Sequence, residues 1–352
     1  MVHDQKLKFR LCFSLSLALL KDMTTVEPDS CLSRVVTIQG IRPISEANSI
    51  QVYLVPGWQV IDRIGAFAVG DLVIHCMINT VFPSDFTHTS FLNGKPLKTK
   101  KMMGELSQGL LLPTSVIPQD VHLDEDLTRV LGLRKWIPEV EKSLYQEGKD
   151  RAPFPSFIPK TDEERVQNST NRLPHLSGAE VTITEKRDGT SVTYIYHQGT
   201  FMVASRNHVL LESTGHYHQM GEFHDLSKNM TALGKNIAIQ GEITGPKIGG
   251  NRHGLRKNQF NVFNIYSVDE SRYLPWNQVV EICGILQLPI VRLVFQGVIP
   301  DENLTVDYFL KLAEDQRYEN GKLAEGIVVK TSDGPRISFK AISNEYLIKY
   351  GL

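Results

Sequence analysis

The chain has 352 residues, 41% of them apolar and 22% charged, with a formal net charge of −1. That length exceeds one ordinary domain and suits two, each large enough to bury a core without disulfide or metal staples. The composition excludes a disordered or fibrous chain. The scattered cysteines Cys12, Cys31, Cys76 and Cys283, with no HxxxH or HExxH among the histidines, exclude the common zinc patterns and fit a reducing compartment.

Lys6, Lys8 and Arg10 precede the apolar run Leu11 to Leu20, the outline of a short signal peptide or organelle presequence. Lys21 and Asp22 come at once, where a small-residue cleavage site would stand, so an upstream extension ahead of a start at Met23 is the equal alternative. Residues 1–30 are set apart as an extension or targeting segment, and the remainder is expected to be soluble and intracellular. No other apolar run approaches the roughly 20 residues of a membrane span.

Residues 31–120 read as short strands. Val35 to Ile38 is a β-branched run; Ile50, Val52 and Leu54 alternate with Gln51 and Tyr53; Pro56-Gly57 marks a turn; Leu72 to Cys76 is a further strand. Together they predict a small barrel of oligonucleotide-binding type. Residues 121–160 form a connecting stretch. In it Leu127, Val130 and Leu131, then Ile137, Val140 and Leu144, fall at helical spacing, with Pro138 placed to open the second piece. Pro153, Pro155 and Pro159 predict an extended run, and Thr161-Asp162-Glu163-Glu164 a helix start.

Residues 161–352 read as an α+β domain. Strands are predicted at 180–186, 191–196, 200–204, 237–243, 260–266, 290–295, 325–331 and 336–340, and helices at 277–286 and 305–319. Two local basic runs suit a polyanionic partner: Lys95, Lys98, Lys100 and Lys101, and Lys247, Arg252, Arg256 and Lys257. Taken alone, each is also an ordinary solvated face.

Lys186 ends the strand 180–186 ahead of Asp188-Gly189, a hairpin-type turn signal, on the face opposite Val181 and Ile183. A lysine nucleophile must be neutral, and on the order of one in a thousand is so at pH 7. Desolvation, basic neighbours or a bound divalent metal would lower its pKa. Glu242 and Glu325, each beside a glycine at a strand junction, are candidate oxygen ligands for Mg²⁺ or Mn²⁺. Each of these features alone is also an ordinary surface residue.

Their order carries more. Lys186-Arg187-Asp188-Gly189, Ser205-Arg206-Asn207, Gly241-Glu242, Phe260 to Tyr266, Glu325 to Lys330 and Ile337 to Lys340 succeed one another along the chain. This succession resembles the ordered motifs of covalent nucleotidyltransferases: DNA ligases, RNA ligases and capping enzymes. Only 12 residues lie beyond Lys340, leaving no room for a trailing barrel, and the barrel-like region comes first. With Lys98 to Pro113 and Lys160 to Asn168, the pattern resembles the RNA ligase 5 family, the Deinococcus- and Naegleria-type ATP-dependent RNA ligases.

That resemblance implies an N-terminal oligonucleotide-binding barrel followed by a nucleotidyltransferase domain rich in antiparallel sheet. It implies ATP and Mg²⁺ or Mn²⁺, and an RNA partner with 3′-OH and 5′-phosphate ends, as in a nicked duplex under repair. A monomer is expected. Lys186 would carry AMP, and Asp188, Glu242 and Glu325 would organise the metal, largely through its waters. Arg165, Glu185, Arg206, Lys330 and Lys340 would contact the nucleotide. Phe263 would stack on adenine, with Phe260 the alternative; three apart on a strand, they face opposite ways. Lys98, Lys100 and Lys101 would grip the strand bearing the 3′-OH. The sequence departs from the family at Ser338, where a lysine often stands, and at Asn264, where many relatives have aspartate. A GTP-using capping-type guanylyltransferase and a non-catalytic RNA-binding relative are the competing readings.

Overall fold

The computed structural model describes residues 31–136, 151–211, 215–332 and 334–352. The first strands are β1 (Ser33–Thr37), β2 (Gly40–Pro43), β3 (Ile50–Val55), β4 (Trp58–Arg63), β5 (Leu72–Cys76), β6 (Thr80–Val81), β7 (Thr99–Met102), β8 (Glu105–Gln108) and β9 (Leu110–Pro113). They pair antiparallel in the orders β1-β5-β9, β2-β3-β4 and β7-β8. Val35, Ile74, Cys76 and Leu112 fill one side of the core; Val36, Tyr53, Val60 and Val73 fill the other. The expected alternation along β3 is reversed at its end: Tyr53 is buried and Leu54 exposed. A tyrosine can be buried when its hydroxyl is satisfied. Here the hydroxyl donates to Arg63 O at 2.7 Å and accepts from Ala66 N at 3.0 Å.

The first helical piece of the connection does not form. Leu131 N bonds Leu127 O at 2.9 Å, one turn only, and Gly132 at φ +61° ends it. β10 (Arg134–Lys135) then pairs with β6, so barrel hydrogen bonding runs past residue 120. Ile137, Val140 and Leu144 lie outside the described residues, as do residues 1–30.

The second domain holds two antiparallel sheets. The larger comprises β11 (Arg151–Pro153), β13 (Thr190–His197), β14 (Thr200–Ser205), β15 (His208–Leu210), β16 (Ile237–Thr244), β17 (Gln259–Ser267) and β18 (Arg272–Tyr273), in the order β11-β15-β14-β13-β16-β17-β18. The smaller is ordered β19-β12-β20-β21, from β12 (Glu180–Lys186), β19 (Leu293–Val298), β20 (Gly326–Thr331) and β21 (Ser338–Ile342). Helices α1 (His216–Phe223), α2 (Leu226–Leu233) and α3 (Trp276–Ile285) bury Tyr217, Met230 and Ile282 with Tyr194 and Ile239 of the large sheet. Helix α4 (Val306–Glu314) buries Phe309 and Ala313 against Val181, Ile183 and Phe339 of the small one. It is shorter than the expected 305–319, and β19 and β21 begin two to three residues later than expected.

No helix starts at Thr161. The acidic side chains expected to serve a helix N-terminus go to distant cations instead: Glu163 to Arg336 at 3.1 Å and Asp162 to Lys135 at 3.3 Å. The segment runs extended beside β21, where Lys340 N donates to Glu164 O at 2.7 Å. The last helix, α5 (Asn344–Tyr350), closes on the barrel. Its Leu347 shares an apolar cluster with Val36, Val60 and Leu111, and Gln108 Nε2 donates to Asn344 Oδ1 at 3.0 Å. Lys98 Nζ donates to Gly351 O and faces the Trp136 ring at 5.2 Å, so Lys98 is occupied in joining the two domains.

Candidate active site

Strand β12 alternates as the sequence predicts. Val181 and Ile183 enter the core, while Thr182, Thr184 and Lys186 share the other face. The turn beyond Lys186 is not a hairpin. Asp188-Gly189 carries the chain from the small sheet to β13 of the large one, so Lys186 stands where the two sheets meet. The crossing is tight: a Cβ on Gly189 would lie 2.2 Å from Ile243 O and 3.0 Å from Glu242 Cγ. Gly189→Ala is therefore expected to shift Asp188 and Glu242 together. It should cost about 1–3 kcal/mol of stability, read by thermal melting, and lower nucleotide transfer at least tenfold by misplacement. A variant with unaltered melting and transfer would contradict this placement.

The acids meet at Lys186. Lys186 Nζ donates to Glu325 Oε2 at 2.8 Å. Asp188 receives Arg252, which also donates to the Tyr346 hydroxyl at 2.7 Å and lies 4.2 Å from the Tyr350 ring. Burial alone would lower the Lys186 pKa, but Glu325, Glu242 and Asp188 outweigh it and raise it. The amine is thus held as ammonium among these carboxylates. The donor set suits a hard cation: Asp188, Glu242 and Glu325 offer only oxygen and share one cleft. Among the described residues no three acidic, histidine or cysteine side chains stand close enough to cage a metal directly.

Cations crowd beside this acidic group. Lys340 is pushed well below the ordinary lysine range by burial and then by Lys186, Arg165, Lys135 and Arg206. Burial pushes Arg165 down to about 10. Arg165 Nη1 and Thr184 Oγ1 are buried with no hydrogen-bond partner among the described residues. An anion among these groups would satisfy the orphaned donors and relieve the repulsion. Arg206 pairs with Asp162.

Ser338 donates its hydroxyl to Glu163, which also holds Arg336. Lys330 donates to Phe263 O and to Asn264 Oδ1, each at 2.7 Å, and burial pushes it down to about 7. Phe260 is fully buried among Tyr194 and Ile239, whereas Phe263 faces the cleft. Glu185 turns its carboxylate away from Lys186, toward Arg292 at 3.0 Å and Arg187 at 3.6 Å.

All ten residues named from the sequence line one cleft of about 430 Å³: Arg165, Glu185, Lys186, Asp188, Arg206, Glu242, Phe263, Glu325, Lys330 and Lys340. Lys135, Trp136, Asn79 and Arg252 line it as well, without a motif that marks them for it. The first three come from the barrel side, which nothing in the second domain signals. Arg252 belongs to a basic run that reads as surface.

The RNA ligase family model matches residues 179–342, and the PHA02142 OB-fold domain model matches residues 32–114. The structure is similar to Naegleria gruberi RNA ligase with PPi: TM-score 0.84, 31% identity, covering 92% of this chain and 99% of that one. It is likewise similar to a lysine-to-alanine mutant of that enzyme with ATP and Mn (TM-score 0.83, 31% identity, 90% and 98% covered). An aspartate-to-alanine mutant in the apo state gives a TM-score of 0.83 at 30% identity, with 91% and 98% covered. No curated protein sequence matches the chain.

Proposed function

The chain belongs to the RNA ligase family, and we propose that it is an ATP-dependent RNA ligase that carries AMP on Lys186. One observation carries this reading. The Lys186 amine, bonded to Glu325, shares one cleft with the carboxylates of Asp188 and Glu242, the cations Arg165 and Lys340, and Phe263. The solved mutants of the Naegleria enzyme add support: they replace a lysine and an aspartate two positions apart, the spacing of Lys186 and Asp188.

The reaction comprises three displacements at phosphorus. The Lys186 ammonium first sheds its proton, and Glu325 Oε2 at 2.8 Å is placed to accept it. The freed nitrogen bonds the α-phosphorus of ATP, the bond to the bridging oxygen breaks, and pyrophosphate leaves. An oxygen of the RNA 5′-phosphate then bonds the same phosphorus and the P–N bond breaks, returning the amine. Finally the RNA 3′-oxygen bonds the 5′-phosphorus, loses its proton and expels AMP. Arg165, Lys340 and Lys135 would hold the phosphates in line, work that is mainly positioning and charge stabilisation. A Mg²⁺ or Mn²⁺ ion held by Asp188, Glu242 and Glu325 would neutralise charge building on the α-phosphate. Phe263 would stack on adenine. On the barrel, Lys100 and Lys101 are exposed and would touch the strand bearing the 3′-OH; Lys98, tied to Gly351, would not.

A sealing assay tests the function. Nicked duplex RNA with 3′-OH and 5′-phosphate ends should be joined in the presence of ATP and Mg²⁺ or Mn²⁺, and not with GTP. Sealing that prefers GTP, or none under any of these conditions, would overturn the assignment. Among the described residues, no helix is long and apolar enough to cross a membrane.

A further inference from the structure

The loop at 245–258 joins β16 to β17 and divides the second basic run in two. It contains four cations, Lys247, Arg252, Arg256 and Lys257, and no Asp or Glu, in a chain of net charge −1. Its inner side is tied down. Ile248 is buried, the His253 ring lies 3.8 Å from that of Tyr318, and Asn320 Nδ2 donates to Arg252 O at 3.0 Å. Asn251 Nδ2 donates to Leu255 O at 2.9 Å, and Leu255 N returns a bond to Asn251 Oδ1 at 3.0 Å. Arg252 reaches Asp188 at the floor of the cleft. Lys247, at φ +67°, helps hold the compact path.

The outer side is free. Lys247, Arg256 and Lys257 are exposed, and none forms an ion pair among the described residues. Ile248, Gly249, Gly250 and Arg252 of the same loop line the cleft, so the loop that bears the three exposed cations forms part of its wall. A solvated face needs no such anchoring. Unneutralised cations on an anchored loop that walls a site working on RNA ends match a polyphosphate backbone.

We infer that loop 245–258 is an RNA-docking rim, on which Lys247, Arg256 and Lys257 take backbone phosphates of the strand whose end enters the cleft. This rests on the chain being an RNA ligase. Docking here is phosphate recognition and carries no base preference. Three lost phosphate contacts should lower the slope of log affinity against log salt by about 2–3, at roughly 0.7 per contact for a single strand and 0.9 for a duplex.

The test is fluorescence anisotropy of nicked duplex RNA against a salt series. The combined variant Lys247→Gln, Arg256→Gln, Lys257→Gln should bind on the order of a hundredfold more weakly near ~0.1 M salt, with the slope reduced by about 2–3. The charge-conserving Lys247→Arg, Arg256→Lys, Lys257→Arg combination should bind as wild type does. Unchanged affinity and slope in the glutamine variant would overturn the inference. So would an equal loss in the charge-conserving one, which would mark a structural effect. Labelling of Lys186 by ATP uses no RNA and separates the two ideas. A wild-type chain that takes no label sinks the ligase reading, whereas a labelled glutamine variant with intact RNA binding sinks only this one.

Discussion

Lys186→Ala should abolish transfer of AMP from ATP to the protein, and Lys186→Arg should do so as well. The expectation comes from position. Lys186 is the last residue of β12, opposite Gly326 in the neighbouring strand, and its half-buried amine reaches Glu325. Arg165 and Lys340 also line the cleft, but a guanidinium is a poor nucleophile at any accessible pH, and Lys340 stands among other cations. Neither is placed to replace the missing amine. The loss should exceed a thousandfold, because the covalent step has no alternative route. Denaturing electrophoresis after incubation with α-labelled ATP reads it directly. Label persisting on Lys186→Ala would place the nucleophile elsewhere. Sealing of RNA already carrying AMP on its 5′-phosphate should survive in the same variant far better than sealing from ATP, since that last displacement does not use the amine.

The second large effect is expected at Lys340. It lies on β21 opposite Val328, and its backbone is fixed from the other side by Glu164 O at 2.7 Å. Burial and four neighbouring cations depress its pKa, a local excess of positive potential that a phosphate would relieve. Lys340→Ala should slow label transfer by about 10²–10³, the usual cost of losing one group that stabilises developing charge. With Ser338 turned to Glu163 and Lys330 to Asn264, neither is free to substitute. Single-turnover labelling at saturating ATP is the measurement. A rate within about threefold of wild type would show that Lys340 does not act on the transferred phosphate.

Much of this site is legible in the sequence because its residues sit at strand ends, where local pattern fixes direction. The alternation Val181, Ile183 against Thr182, Thr184 puts Lys186 on the cleft side, and the three-residue spacing of Phe260 and Phe263 separates one into the core and one into the cleft. The local signal fails where long-range partners decide. Asp188-Gly189 reads as a hairpin turn, yet β12 and β13 pair in different sheets, and only the fit of Gly189 against Ile243 O shows why glycine is needed there. Thr161 to Glu164 has the composition of a helix start, but Arg336, Lys135 and Lys340 hold it extended. Lys135 and Arg252 carry no local mark of their place for a related reason. One reaches the cleft through strand pairing in the barrel, and the other through a loop folded back on Asp188. Lys98 shows the converse: a lysine in a basic run that serves the C-terminal residues instead of a ligand.

The most direct measurement is peptide mapping by mass spectrometry of the full chain after incubation with ATP and Mg²⁺ or Mn²⁺. One AMP adduct is expected, on the peptide containing Lys186, released when nicked RNA is added. An adduct on another lysine, or no adduct under conditions in which RNA is sealed, would show that the ligase does not work through Lys186.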